Sequence, residues 1–141
     1  MKKGVIAVMW NKDVLAGAAF LKLNSAWENF HKIAAAEQAG NIRSIDTRQL
    51  LVTGNSLILE AASDLIKFFE AGGFFRKYLH ARKIEECNKI RMAAAQWHTW
   101  LSHTLANEPL DRYLESFCEF ARRSIETLCS YLPDKNPLYE K

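Results

Sequence analysis

Apolar side chains recur at alternating spacings of four and three along most of this chain. That rhythm limits it to helices. In the first stretch Ala16, Phe20, Leu23, Trp27, Phe30 and Ala34 keep the period, with Ala19, Ala26 and Ile33 alongside. Such a set forms one broad stripe on a helix of 3.6 residues per turn, whereas a half-buried strand needs alternation every second residue. Only 3 Pro and 6 Gly punctuate 141 residues, which favours a few long elements over many short ones.

The first helix is expected to end near Ala39, with Gly40 free to adopt the left-handed cap. Residues 4–10 either extend it or form a separate piece. Asp46-Thr47-Arg48-Gln49 has capping-box spacing and opens a second helix. Its core face reads Leu50, Leu57, Ala61, Leu65 and Phe68, flanked by Leu51, Ile58, Ala62 and Phe69. Gly54 weakens it locally, and Gly72-Gly73 ends it.

A third helix is predicted from about Phe74 to Ala106. Cys87, Ile90, Ala94, Trp97, Leu101 and Leu105 pattern its second half, and a polar first half allows a break near residues 81–86. Asn107-Glu108-Pro109 makes a turn with Asn107 as N-cap. The fourth helix carries Leu110, Leu114, Phe117, Ala121, Ser124 and Leu128, widened by Tyr113, Phe120 and Ile125. Pro133 stops it, leaving residues 133–141 as a polar tail. Short connections make successive helices antiparallel. The expected fold is therefore all-α: one domain over residues 1–141, an up-down-up-down four-helix bundle of long antiparallel helices.

Apolar residues at 49% and charged residues at 25% are ordinary for a globular protein. The longest apolar run, Val14 to Leu21, falls far short of the ~20 residues that span a bilayer. Met1-Lys2-Lys3 and the apolar residues after them loosely imitate a signal peptide, but Asn11, Lys12 and Asp13 interrupt the stretch. A retained N-terminus, a cytoplasmic location and no membrane among the partners are the expectations. Cys87, Cys118 and Cys129 include no CxxC pair, and Cys118 and Cys129 lie about 16 Å apart along one helix. They read as reduced, mostly packed thiols.

Charge is unevenly placed. Arg76, Lys77, Arg82, Lys83, Lys89 and Arg91 face only Glu85 and Glu86 within residues 74–91. That segment nets +4, the whole chain +3, and the remainder −1. With His80 among them, and Arg76, His80 and Lys83 on one helical face, these residues form a candidate site for RNA or DNA backbone. The alternative is an ordinary solvated surface knitted by Arg82 with Glu86 and Glu85 with Lys89. No base-reading motif accompanies the patch.

Arg91 and His98 are seven residues apart, hence on one side of a helix with Cα atoms about 10 Å apart. In such a pair His serves as acid/base while Arg stabilises phosphate charge. The run Arg91-Met92-Ala93-Ala94-Ala95-Gln96-Trp97-His98 resembles the Arg–His motif of HEPN ribonucleases and antitoxin-linked HEPN proteins, which are helical bundles. The resemblance implies RNA cleavage by Arg91 and His98, although Met92 stands where that family commonly has a polar residue and the motif lies mid-helix. In size, helicity and the run Leu110 to Cys118, the chain also resembles the small helical subunits of CRISPR effector complexes, which line a nucleic-acid channel.

His31, His80, His98 and His103 contain no i,i+4 pair, and no pair of Glu-x-x-His motifs, phosphate loop or nucleophile elbow occurs. No metal and no small-molecule cofactor are expected. Phe68-Phe69 and Phe74-Phe75 bracket Gly72-Gly73, more rings than one bundle end readily buries. Phe69, Phe74 and Phe75 are therefore candidate partner contacts. The alternative seals Phe74 and Phe75 against Trp100 or Leu50 neighbours. Together these features predict a non-enzymatic helical binding module, a small subunit or regulator in a larger assembly. Its contacts would be a protein partner or a second copy, plus nucleic-acid backbone. A HEPN-type ribonuclease and a protein-only adaptor, inhibitor or immunity protein are the alternatives.

Overall fold

The computed structural model describes the backbone of residues 2–39, 45–71, 73–104 and 111–132. Side chains are described for the same residues except 2–13, 36–37, 45–48, 76, 103–104 and 111–114. Among them there are five helices and no strand: α1 (Lys2–Gln38), α2 (Ile45–Glu70), α3 (Phe74–Leu79), α4 (Ala81–Thr104) and α5 (Asp111–Ser130). Residues 4–10 belong to α1, which at 37 residues is about 55 Å long. Gly40, Asn107 and the 133–141 tail lie outside the described residues.

One cluster of buried apolar side chains draws on α1, α2, α4 and α5. Its centre line is rotated from the one the spacing suggests. In α1 the buried residues are Ala19, Leu23, Ala26 and Ile33, while Phe20, Trp27 and Phe30 are half-buried at the margin. In α2 they are Leu51, Ile58, Ala61, Ala62, Leu65, Phe68 and Phe69, with Leu50 and Leu57 at the edge. Large rings at the rim and small residues at the centre let helices approach closely, as jigsaw packing requires. Gly54 fits this pattern: it is buried in α2, and the Cβ of Asn29 in α1 lies 3.7 Å from where a side chain would begin.

α2 is the hub. It packs along α1 and along α4 and also reaches α5, whereas among the described residues α1 and α4 share no seam. Lys22 of α1 donates to Asp64 of α2 at 2.6 Å, and Asn55 of α2 donates to the Ala94 carbonyl of α4 at 2.8 Å. Trp97 of α4 meets Phe117 of α5 edge-on at 5.4 Å.

Two boundaries differ from expectation. α2 begins at Ile45, so Asp46 lies in its first turn rather than before it. The long third helix is divided into α3 and α4 at His80, just ahead of the polar stretch. No glycine or proline causes this break. The His80 ring rests on Phe69 at 5.0 Å, and its carbonyl accepts from Ile84 N–H at 2.9 Å, so α4 starts from a turn pinned to α2. Before α3, Gly73 holds φ +93°, a region an L side chain rarely adopts.

Candidate functional site

The sequence-derived candidates all fall on α3, on α4 or at the end of α2, and the fold separates them into three environments. The first is an aromatic cage. Phe69 is buried, packed against Phe68 at 5.4 Å and Tyr131 at 6.1 Å. Its expected role as a partner contact is corrected: the ring belongs to the core. Lys83 reaches over the same group, its Nζ 5.6 Å from the Phe69 ring centre and 5.7 Å from that of Tyr131. A half-buried ammonium held over two rings is a cation–π clasp between α2, α4 and the end of α5. Burial pushes the Tyr131 hydroxyl above its ordinary value, helped by Glu86 and Cys87 and opposed by Arg82.

The second environment is the outer face of α4. Lys89 lies 3.8 Å from both Glu85 and Glu86, realising one of the two expected ion pairs. Lys77 of α3 reaches back to Glu70 at 3.6 Å. Arg82 and Arg91 are exposed, and Arg91 donates to the Asn88 side chain. The side chain of Arg76 lies outside the described residues. The cations therefore do not form one bare stripe. Arg82 and Lys89 share a face with Glu85 and Glu86, while Arg91 points the opposite way around the helix, about 180° from Arg82.

Arg91 and His98 both lie exposed on α4. The small cavity in the core, about 10 Å³, is lined by α1, α2 and α5 residues, among them Phe30, Gly54 and Ile125, and by neither of that pair. Among the described residues no three His, Cys, Asp or Glu side chains gather as a metal site. No described helix is long and apolar enough to cross a membrane.

The third environment is α3. Phe74 and Phe75 are 86% and 73% exposed, and Tyr78 and Leu79 follow at 73% and 63%. The alternative in which Phe74 and Phe75 seal the bundle end is overturned. Sequence reasoning singled out the two Phe but missed Tyr78 and Leu79. The signal was there: the four occupy one arc once the helix is known to be short. No protein-family model, curated protein or solved structure matches this chain.

Proposed function

We propose that this chain is a non-enzymatic helical binding module, a small subunit or regulator whose working surface is α3 with the adjoining face of α4. The observation that carries the reading is the exposure of Phe74, Phe75, Tyr78 and Leu79 on one short helix. A stable monomer rarely offers so much contiguous apolar surface without a use for it. The cytoplasm is the proposed setting, which three cysteines in no disulfide suit.

The proposed frame is a single domain in which α1, α2, α4 and α5 run up-down-up-down as a four-helix bundle. Contact pairs that climb one helix while descending its neighbour support it. Lys22 pairs with Asp64 while Asn29 meets Gly54. Asn55 pairs with Ala94 while Phe69 meets His80 and Lys83. Trp97 meets Phe117 while Lys83 meets Tyr131.

Nucleic-acid backbone is the second ligand in this proposal, reached through the exposed Arg82 and Lys89 on one side of α4 and Arg91 on the other. The net +4 of residues 74–91 supports it. Its test is anisotropy of a labelled single-stranded RNA and the matching DNA as salt is raised. Binding that weakens steeply with salt and falls further in Arg82→Ala/Arg91→Ala supports the contact. Binding that those changes leave intact, or none at low salt, removes it. RNA cleavage lost in both Arg91→Ala and His98→Ala would instead favour the ribonuclease.

A further inference from the structure

α3 is amphipathic in reverse. At about 100° per residue, Phe74, Tyr78, Phe75 and Leu79 fall within an arc of about 140°, and their exposures put that arc toward solvent. Lys77 lies off the arc and turns back to Glu70 at 3.6 Å. An arc this wide is what a helix ordinarily presents to a core. Aromatic side chains carry roughly 150–250 Å² each, so at these exposures the four residues offer roughly 450–650 Å².

We infer that this arc is covered by the same arc of a second copy of the chain, the two α3 helices crossing about a two-fold axis. Three observations select that occupant. The arc contains no charged side chain, so two of them meet without opposing like charges. Lys77, beside it, already has Glu70 in its own chain, which leaves an anionic surface one cation fewer to attract. And the area suits a self-pair. Two arcs cover roughly 900–1,300 Å², the lower range of specific interfaces, where reversible association is expected. A two-fold contact is isologous, so rings at one end of α3 lie over the rings and Leu79 at the other end of its mate.

This inference rests on the binding-module reading and names one of its partners. Self-association is read separately from nucleic-acid contact, so either can fail alone. The experiment is sedimentation velocity on the full chain from low micromolar to several hundred micromolar, at low and high salt. A concentration-dependent monomer–dimer equilibrium that salt does not weaken is expected. Phe74→Ser/Phe75→Ser should weaken it about tenfold or more, with helix content and the melting temperature of the monomer at low concentration unchanged because both rings are exposed. Leu21→Ser, at an exposed apolar site on α1, should leave it as it is. A monomer at every concentration overturns the proposal, as does a dimer indifferent to the Phe changes. So does a monomer that co-sediments, in a Phe-dependent way, with phosphatidylcholine–phosphatidylserine vesicles; that result would assign the arc to a lipid surface.

Discussion

Asn55 donates through Nδ2 to the main-chain carbonyl of Ala94 at 2.8 Å, and both residues are fully buried in the seam between α2 and α4. Its Oδ1 meets no donor among the described residues. The amide is thus held by its donor alone. Asn55→Asp replaces that donor with an oxygen facing an oxygen and adds a charge with no partner. A loss of about 3–5 kcal/mol at neutral pH is expected from urea unfolding. Burial would raise the folded-state pKa of the new carboxyl, so the penalty should shrink as pH falls toward 4, where the unfolded chain also takes up the proton. A loss below about 1 kcal/mol at neutral pH would mean the seam admits water.

Gly54 is a helix-interior glycine whose missing methyl would meet only the Asn29 Cβ at 3.7 Å, an ordinary contact, and would line the small core cavity. Gly54→Ala should therefore stabilise the protein by about 0.5–1 kcal/mol. Gly73→Ala should do the reverse by about 1 kcal/mol, because its φ of +93° strains any L side chain. Equal signs for the two changes in chemical denaturation would contradict this account.

Lys22 and Asp64 form a charge-assisted bond with both side chains mostly shielded, 29% and 13% exposed, and Glu60 stands by at 3.9 Å. Asp64→Ala should lower stability by about 1–2 kcal/mol. On α5, Glu119 binds both Arg122 and Arg123, and Arg122 also binds Glu126, all on the surface. Those bonds hold the Glu119 carboxyl below its ordinary value. Arg122→Ala should nonetheless leave the melting temperature almost unmoved. Finding the larger effect on α5 would reverse this ranking.

Burial pushes the Cys87 and Cys129 thiols from 9.0 up to about 12, with Glu86 adding to the effect at Cys87. Both folded values lie above the unfolded one, so the unfolded chain loses these protons first as pH rises. Stability should hold below pH 9 and decline between about 9 and 12. Below pH 9 the native protein should show one readily titrated thiol, the half-buried Cys118, and three after denaturation. Three fast thiols in the native state would show that the α4–α5 side opens.

Helix placement was largely legible, because a four-three rhythm survives any choice of neighbour, but five helices stand among the described residues where four were expected. What each stripe faced was not legible. Trp27 and Phe30 carry more apolar surface than Ala26, yet Ala26 sits deeper, since close helix approach favours the small residue. Phe69 keeps the spacing of α2 with Ala62 and Leu65, but nothing local says where Phe74 points. The turn at Gly73 decides it, sending one ring inward and the other out. Lys83 read as part of a phosphate-binding face because its true neighbour, Tyr131, lies far along the chain. Periodicity carries no information about such a meeting. The basic segment was visible as composition, as was the Glu85–Lys89 pair, but the reach of Lys77 back to Glu70 depends on how the chain turns.

Because α2 packs chiefly on α1, just before it, and on α4, the next long helix after it, most of the native contacts join segments close in sequence. A search that rarely has to bring distant segments together is short, and chains of this kind reach the native state in microseconds to milliseconds. The late event should be the arrival of α5, whose Tyr131 must close over a ring and an ammonium already assembled by α2 and α4. Substitutions at Tyr131 should therefore quicken unfolding while leaving the folding rate nearly untouched.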